Sequence, residues 1–149
     1  MPATTSDLET SLTTTLRARG QRVTSQRVVI HRALQELGRH SSAEEVLDRV
    51  RDRLPGISLP TVYATLELFE ELGIARRVTG GRRPGGPILY DPRPDPHHHL
   101  VCRRCGRVED VEAPVELDTA LAAAKRHGWE PETTELIVTG VCTACAAAS

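Results

Sequence analysis

The chain has 149 residues, 39% of them apolar and 26% charged, with a formal net charge of -1. This is ordinary for a soluble protein, and it excludes a membrane-spanning one because no apolar run approaches the ~20 residues that cross a bilayer. The first ten residues, MPATTSDLET, hold neither a basic stretch nor an apolar core, so no secretory signal is expected and a cytoplasmic location is. The charge is uneven: residues 1–90 carry 13 Arg against 10 acids, a net +3, and residues 91–149 carry a net -4. A mildly basic N-terminal half suits approach to a phosphate backbone, although solvated surface has the same composition.

Leu8, Leu12 and Leu16 recur at helical spacing before Gly20 and predict a first helix. Thr24 is positioned to cap a second, with Val28, Val29, Ala33 and Leu37 inward and Gly38 ending it. Ser41 or Ser42, followed by Glu44 and Glu45, starts a third helix with Val46, Leu47, Val50 and Leu54 inward, broken by Pro55-Gly56. Ser58 caps a fourth through about Leu72, with Pro60 in its first turn and Val62, Leu66 and Phe69 on the buried side. Ile74–Val78 and Ile88–Tyr90, joined by a Gly-Gly-Arg-Arg-Pro-Gly-Gly turn, read as a hairpin. Helices and hairpin in this order make residues 1–90 a winged helix-turn-helix domain whose fourth helix reads DNA. Thr61, Tyr63 and Thr65 on that helix are the candidate contacts. Half-buried packing is the alternative for Tyr63. Arg76, Arg77, Arg82 and Arg83 on the wing are either further phosphate contacts or solvated charge.

Three prolines make residues 91–96, Asp-Pro-Arg-Pro-Asp-Pro, a stiff extended linker. Residues 97–149 then form a small α/β unit, so the fold class is α+β. His97–Val101 and Val108–Val111 read as short strands, Pro114 opens a helix that ends near Gly128, and Thr134–Val141 is a last strand.

Cys102-x-x-Cys105 and Cys142-x-x-Cys145 are two knuckles, each able to offer two thiolates to one tetrahedral zinc. The 36 residues between the pairs exceed the loop of a simple zinc ribbon and fit an inserted strand, helix and strand. A redox pair or buried thiols are the alternatives. A unit this small with one Trp and no Phe has little core, so metal binding would supply its folding free energy. His97, His98 and His99 directly precede the first knuckle. Strand alternation would send His97 and His99 to one face, with Asp110, Asp91 and His40 as further donors. Nitrogen and carboxylate oxygen without thiolate suit Fe(II), Mn(II) or another borderline divalent ion. On residue type alone, unrelated surface residues remain an equal reading. Two His and two Asp can also activate water, but no acid-base or nucleophile motif accompanies them and no enzymatic activity is expected.

The runs Arg22-Val-Thr-Ser-Gln-Arg27, His40-Ser-Ser-Ala-Glu-Glu, Ser58-Leu-Pro-Thr-Val-Tyr63 and His97-His-His-Leu-Val-Cys-Arg-Arg-Cys-Gly106, with the late Cys-x-x-Cys, resemble the ferric uptake regulator (Fur) family from about residue 8 to 145. The resemblance implies a homodimeric, metal-dependent repressor that binds a double-stranded DNA operator through a winged helix. It also implies a C-terminal dimerisation domain with structural zinc, and His40, Asp91, His97, His99 and Asp110 as regulatory Fe(II) or Mn(II) ligands. It suggests Arg22 for the minor groove and Arg27 for phosphate. The all-histidine and aspartate set is most similar to the peroxide-sensing branch, in which His40 and His97 would be oxidised; an iron- or manganese-responsive uptake regulator is the alternative. A third metal site of some relatives, using His98, has Thr134 at its last position, with Glu112, Glu116 and Glu135 nearby. The absence of a fifth cysteine argues against a zinc sensor.

Overall fold

The computed structural model describes residues 3–78 and 88–148. They fall into two compact units, residues 3–78 with 88–94, and residues 95–148.

In the first unit, local capping sets the helix starts. Helix α1 (Thr5–Ala18) begins with a reciprocal capping box between Thr4 and Asp7. Helix α2 (Ser25–Leu37) is capped by Thr24, which accepts from the Arg27 amide, and closed by Gly38 at φ 60°, a left-handed conformation that favours glycine. Helix α3 (Ala43–Val50) starts with a second box, between Ser42 and Glu45. Helix α4 (Leu59–Glu71) is capped by Ser58 and carries Pro60 in its first turn, where no helical N–H is needed.

Leu12 and Leu16 of α1, Val46, Leu47 and Val50 of α3, and Val62, Leu66 and Phe69 of α4 build the core. The inward face of α2 differs from the sequence reading. Ile30 and Leu34 join Ala33 as its deep positions, while Val28, Val29 and Leu37 are partly buried at the flank. Helix α3 stops at Val50 rather than near Leu54, and residues 51–56 turn the chain toward Ser58 with Gly56 at φ 81°.

A three-stranded antiparallel sheet closes the unit. Strand β1 (Ser41–Ser42) was not foreseen. It pairs with β3 (Leu89–Asp91), which pairs with β2 (Arg76–Val78) in the order β1-β3-β2. The turn predicted to hold Arg82 and Arg83 lies outside the described residues.

In the second unit, β4 (His99–Cys102) is central, with β5 (Val108–Asp110) antiparallel on one side and β6 (Ile137–Gly140) parallel on the other. Helix α5 (Asp118–Arg126) starts four residues later than Pro114, with the Asp118 carboxylate in its first turn complementing the helix dipole. A short helix, α6 (Thr143–Ala147), forms on the second knuckle, where no helix is expected from the sequence. Val101 and Cys102 are this unit's buried apolar residues among those described, and α5 buries none of its residues.

Candidate metal centres and nucleic-acid interface

The two knuckles meet at the ends of β4 and β6. Cys102 is the last residue of β4, opposite Gly140 in the parallel register, and the Arg103 amide donates to the Gly140 carbonyl at 2.8 Å. That pairing delivers Cys142 to Cys102, whose sulfur accepts the Cys142 amide at 3.3 Å. The first knuckle turns at Gly106, with φ 75° and its amide on the Cys102 carbonyl at 2.9 Å. Arg104 Nη1 holds the second knuckle by donating to the Cys145 carbonyl at 2.9 Å.

All four sulfurs lie within 4.8 Å of one another. Cys105 and Cys142 sulfurs are 3.8 Å apart, and two thiolates bonded at about 2.3 Å to a tetrahedral ion would stand about 3.8 Å apart. Backbone N–H groups, first that of Cys105 and then that of Cys142, bring the Cys102 thiol down to about 6. Hydrogen bonds from its S–H to neighbouring sulfurs, Cys142 first and Cys105 next, push the Cys145 thiol up to about 12. Such a set holds several thiolates together only when a cation offsets their charge, so the residues fit a closed tetrahedral metal site.

Nitrogen and oxygen donors gather in each unit. In the first, His40 directly precedes β1 and Asp91 ends β3. The Ser41–Tyr90 pairing of those strands sets the two side by side, with His40 Nε2 at 2.9 Å from Asp91 Oδ2. The other Asp91 oxygen accepts the Arg93 amide at 2.9 Å.

In the second unit, His99 stands directly opposite Asp110 in the β4–β5 register. His97 is not in the strand as expected: the chain turns at Asp95, whose carbonyl accepts His97 Nδ1–H at 2.7 Å, and β4 begins at His99. His97 and His99 nevertheless converge, with their Nε2 atoms 3.0 Å apart and 3.2 and 3.6 Å from Asp110 Oδ1. His99 Nδ1 lies 2.7 Å from a Glu135 carboxylate oxygen. With both Nδ1 atoms directed at acceptors, both Nε2 atoms turn lone pairs toward each other and toward a carboxylate. A cation reconciles that arrangement, and two donors at about 2.1 Å from one ion and at right angles would be about 3.0 Å apart.

Glu109, a conceivable substitute for Asp110, lies on the other face of β5 beside Leu100 and pairs with Arg107 Nε at 2.6 Å. The third site considered for His98 does not form among the described residues. His98 Nδ1 accepts the Leu136 amide at 3.0 Å, and no cluster of three or more metal-type donors includes it. Glu135, met in the sequence only as a neighbour of that site, is the contact missed there. No spacing signal links residues 36 apart whose strands pair in parallel.

Residues 18–139 match the family model described as "Ferric uptake regulator family". The chain belongs to that family. It is 34% identical over 137 residues to ferric uptake regulation protein 2 of Mycolicibacterium fortuitum, covering 89% of this chain and 91% of the relative. It is 31% identical over 141 residues to the peroxide-responsive repressor PerR of Staphylococcus epidermidis, covering 93% and 90%. A crystal structure of the Vibrio cholerae ferric uptake regulator, which describes rearrangement of its DNA-binding domains, superimposes with a TM-score of 0.67 at 30% identity over 85% of this chain and 96% of that one. This Fur-family protein is accordingly a metal-responsive transcriptional regulator, with an N-terminal winged helix-turn-helix domain and a C-terminal dimerisation domain.

In the Fur-family winged helix, the N-termini of α2 and α4 open onto one groove lined by Thr24, Gln26, Arg27, Pro60, Thr61, Ala64 and Thr65. Two helix N-termini and a guanidinium face it, a combination suited to phosphate. Arg22 is exposed, and Arg27 Nη1 donates to the Arg22 carbonyl at 2.6 Å, tying the two basic residues together. Tyr63 is half-buried against the core with its hydroxyl donating to Glu44 at 3.1 Å, so the packing reading and an accessible hydroxyl both hold for it. Thr61 is partly exposed at the groove. Thr65 also lines the groove, one turn deeper: it is 7% exposed and its hydroxyl donates to the Thr61 carbonyl at 2.9 Å.

Proposed function

We propose that this protein is a homodimeric repressor that grips its DNA operator when one Fe(II) or Mn(II) ion is bound by His40, Asp91, His97, His99 and Asp110. The observation that carries the reading is the convergence of His97 and His99 Nε2 atoms with Asp110, each ring keyed at Nδ1. Three donors there and two at His40–Asp91 are too few separately for a hard or borderline ion that prefers about six ligands; together they approach that number without sulfur. An ion held by one group from each side of the 91–96 segment would restrict where the winged helix stands, and DNA affinity would follow occupancy. The four cysteines hold zinc as a structural ion.

Dimerisation is supported by what the second unit leaves uncovered. Leu100 and Val138 sit side by side in the β4–β6 register at 43% and 48% exposure, and α5 buries none of its residues. A second copy covering these surfaces would supply the core that this unit lacks.

The His/Asp ligand set favours peroxide sensing. Held by these residues, Fe(II) would supply reactivity toward hydrogen peroxide; one peroxide oxygen would end on an imidazole carbon of His40 or His97 and the other would leave as water. The test is operator binding by zinc-loaded protein with Fe(II) or Mn(II), before and after peroxide, with mass spectrometry of the histidine peptides. Release with Fe(II) but not Mn(II), and one added oxygen on His40 or His97, is expected. Metal-dependent binding indifferent to peroxide would instead identify a metal-uptake regulator, the reading favoured by the similarity to ferric uptake regulation protein 2. In the same assay, Arg22→Ala should weaken operator binding at fixed salt by roughly tenfold while leaving the zinc content intact. Unchanged affinity would remove Arg22 from the interface.

A further inference from the structure

Glu135 belongs to none of the ligand sets above, yet its carboxylate lies 2.7 Å from Nδ1 of buried His99. We propose that Glu135 is a positioning residue of the regulatory metal site: it accepts the His99 Nδ1–H, locks the tautomer that leaves the Nε2 lone pair for the ion, and strengthens that nitrogen as a donor. The inference rests on the metal reading of His97, His99 and Asp110.

Its placement is built into the backbone. The Leu136 amide donates to His98 Nδ1 at 3.0 Å, and the Leu136 carbonyl accepts the His99 amide at 2.9 Å. From the next residue, β6 runs parallel to β4 with Ile137 opposite His99. The residue just before β6 is therefore stitched to the start of β4 on both sides, and a register slip that moved Glu135 would break these bonds together.

Geometry also separates its role from that of a ligand. Glu135 sits at the Nδ1 edge of the ring, whereas the converging donors sit at the opposite edge, with His97 Nε2 3.0 Å and Asp110 Oδ1 3.6 Å from His99 Nε2. From that side, the carboxylate acts on the ion through His99. The two rings are keyed by different acceptors: His97 by the neutral Asp95 carbonyl and His99 by a carboxylate, each at 2.7 Å. A charged acceptor makes the stronger bond and pushes more electron density onto the far nitrogen, so His99 is the stronger donor of the pair.

The test uses full-length, zinc-loaded protein. Mn(II) affinity is measured by competition with a fluorescent chelator, and the His99 tautomer by long-range proton–nitrogen correlation before Mn(II) is added. Glu135→Ala should weaken Mn(II) binding roughly 10- to 100-fold and release His99 into a mixture of tautomers, with zinc per chain unchanged. Glu135→Gln, whose carbonyl oxygen can accept the same N–H, should keep the tautomer and lose less affinity. Wild-type affinity in Glu135→Ala, or weakened affinity with His99 still held as the Nδ1–H tautomer, would overturn the proposal. His99→Ala separates the two levels. If His99→Ala binds Mn(II) like the wild type, the metal reading itself falls and the role of Glu135 with it. If His99→Ala loses Mn(II) while Glu135→Ala does not, the site stands and the positioning role falls.

Discussion

Cys142→Ser, or removal of zinc by a strong chelator, should abolish the folded structure of residues 95–148 while residues 3–78 and 88–94 keep theirs. The asymmetry follows from the two cores. The first unit buries a continuous cluster that includes Leu16, Ile30, Leu34, Val50, Leu66 and Phe69, and contains no cysteine. In the second, Val101 and the cysteine Cys102 are the buried apolar residues among those described, and burying Val101 contributes only about 1.5–3 kcal/mol. Structural zinc contributes an apparent ~10–16 kcal/mol in small zinc domains at neutral pH, so its loss outweighs the fully buried apolar side chains that unit has among the described residues. Hydrogen exchange should show β4, β5 and β6 losing protection while α2 to α4 retain it, and light scattering should show loss of the dimer. Protection of β4 and β6 persisting in zinc-free Cys142→Ser protein would mean that the cysteines are dispensable for the fold.

His97→Ala should leave zinc content and folding intact but erase metal activation of DNA binding. Coupling between two ligands on one protein is typically ~1–3 kcal/mol, about 5- to 150-fold in affinity, and the variant should lose that whole increment. The reason is local: without the His97 ring, one of two facing Nε2 donors is gone, and His99 and Asp110 remain as a pair. Fluorescence anisotropy of a labelled operator at fixed salt, with and without Mn(II), measures it. His127→Ala is the control, because His127 is exposed at the end of α5 and belongs to no donor cluster among the described residues; it should respond to Mn(II) like the wild type. Full Mn(II) activation in His97→Ala, or its loss in His127→Ala, would move the regulatory site elsewhere.

What the sequence by itself determined is what short-range rules govern. Thr24 and Ser58 announced helix starts because a cap bonds to an amide three residues on, Ser41 or Ser42 announced a third that the structure places at Ser42, and Gly38 announced an end because the left-handed turn suits glycine. The four cysteines were legible as one site because each knuckle is a local turn, and the family motifs tied the rest into order. The tertiary structure decided which side chains meet across long separations. The two-residue strand β1 is too short to show a period, yet its pairing with β3 sets His40 against Asp91. The β4–β5 register chose Asp110 over Glu109, since alternation separates faces but only the pairing says which one His99 shares. Thr65 is a candidate by its place near the start of the fourth helix, and only the packing shows that it lies at the bottom of the groove with its hydroxyl on the Thr61 carbonyl. Glu135 reaches His99 through a parallel pairing that no periodicity in the chain encodes, because its register comes from packing and backbone hydrogen bonds between distant segments.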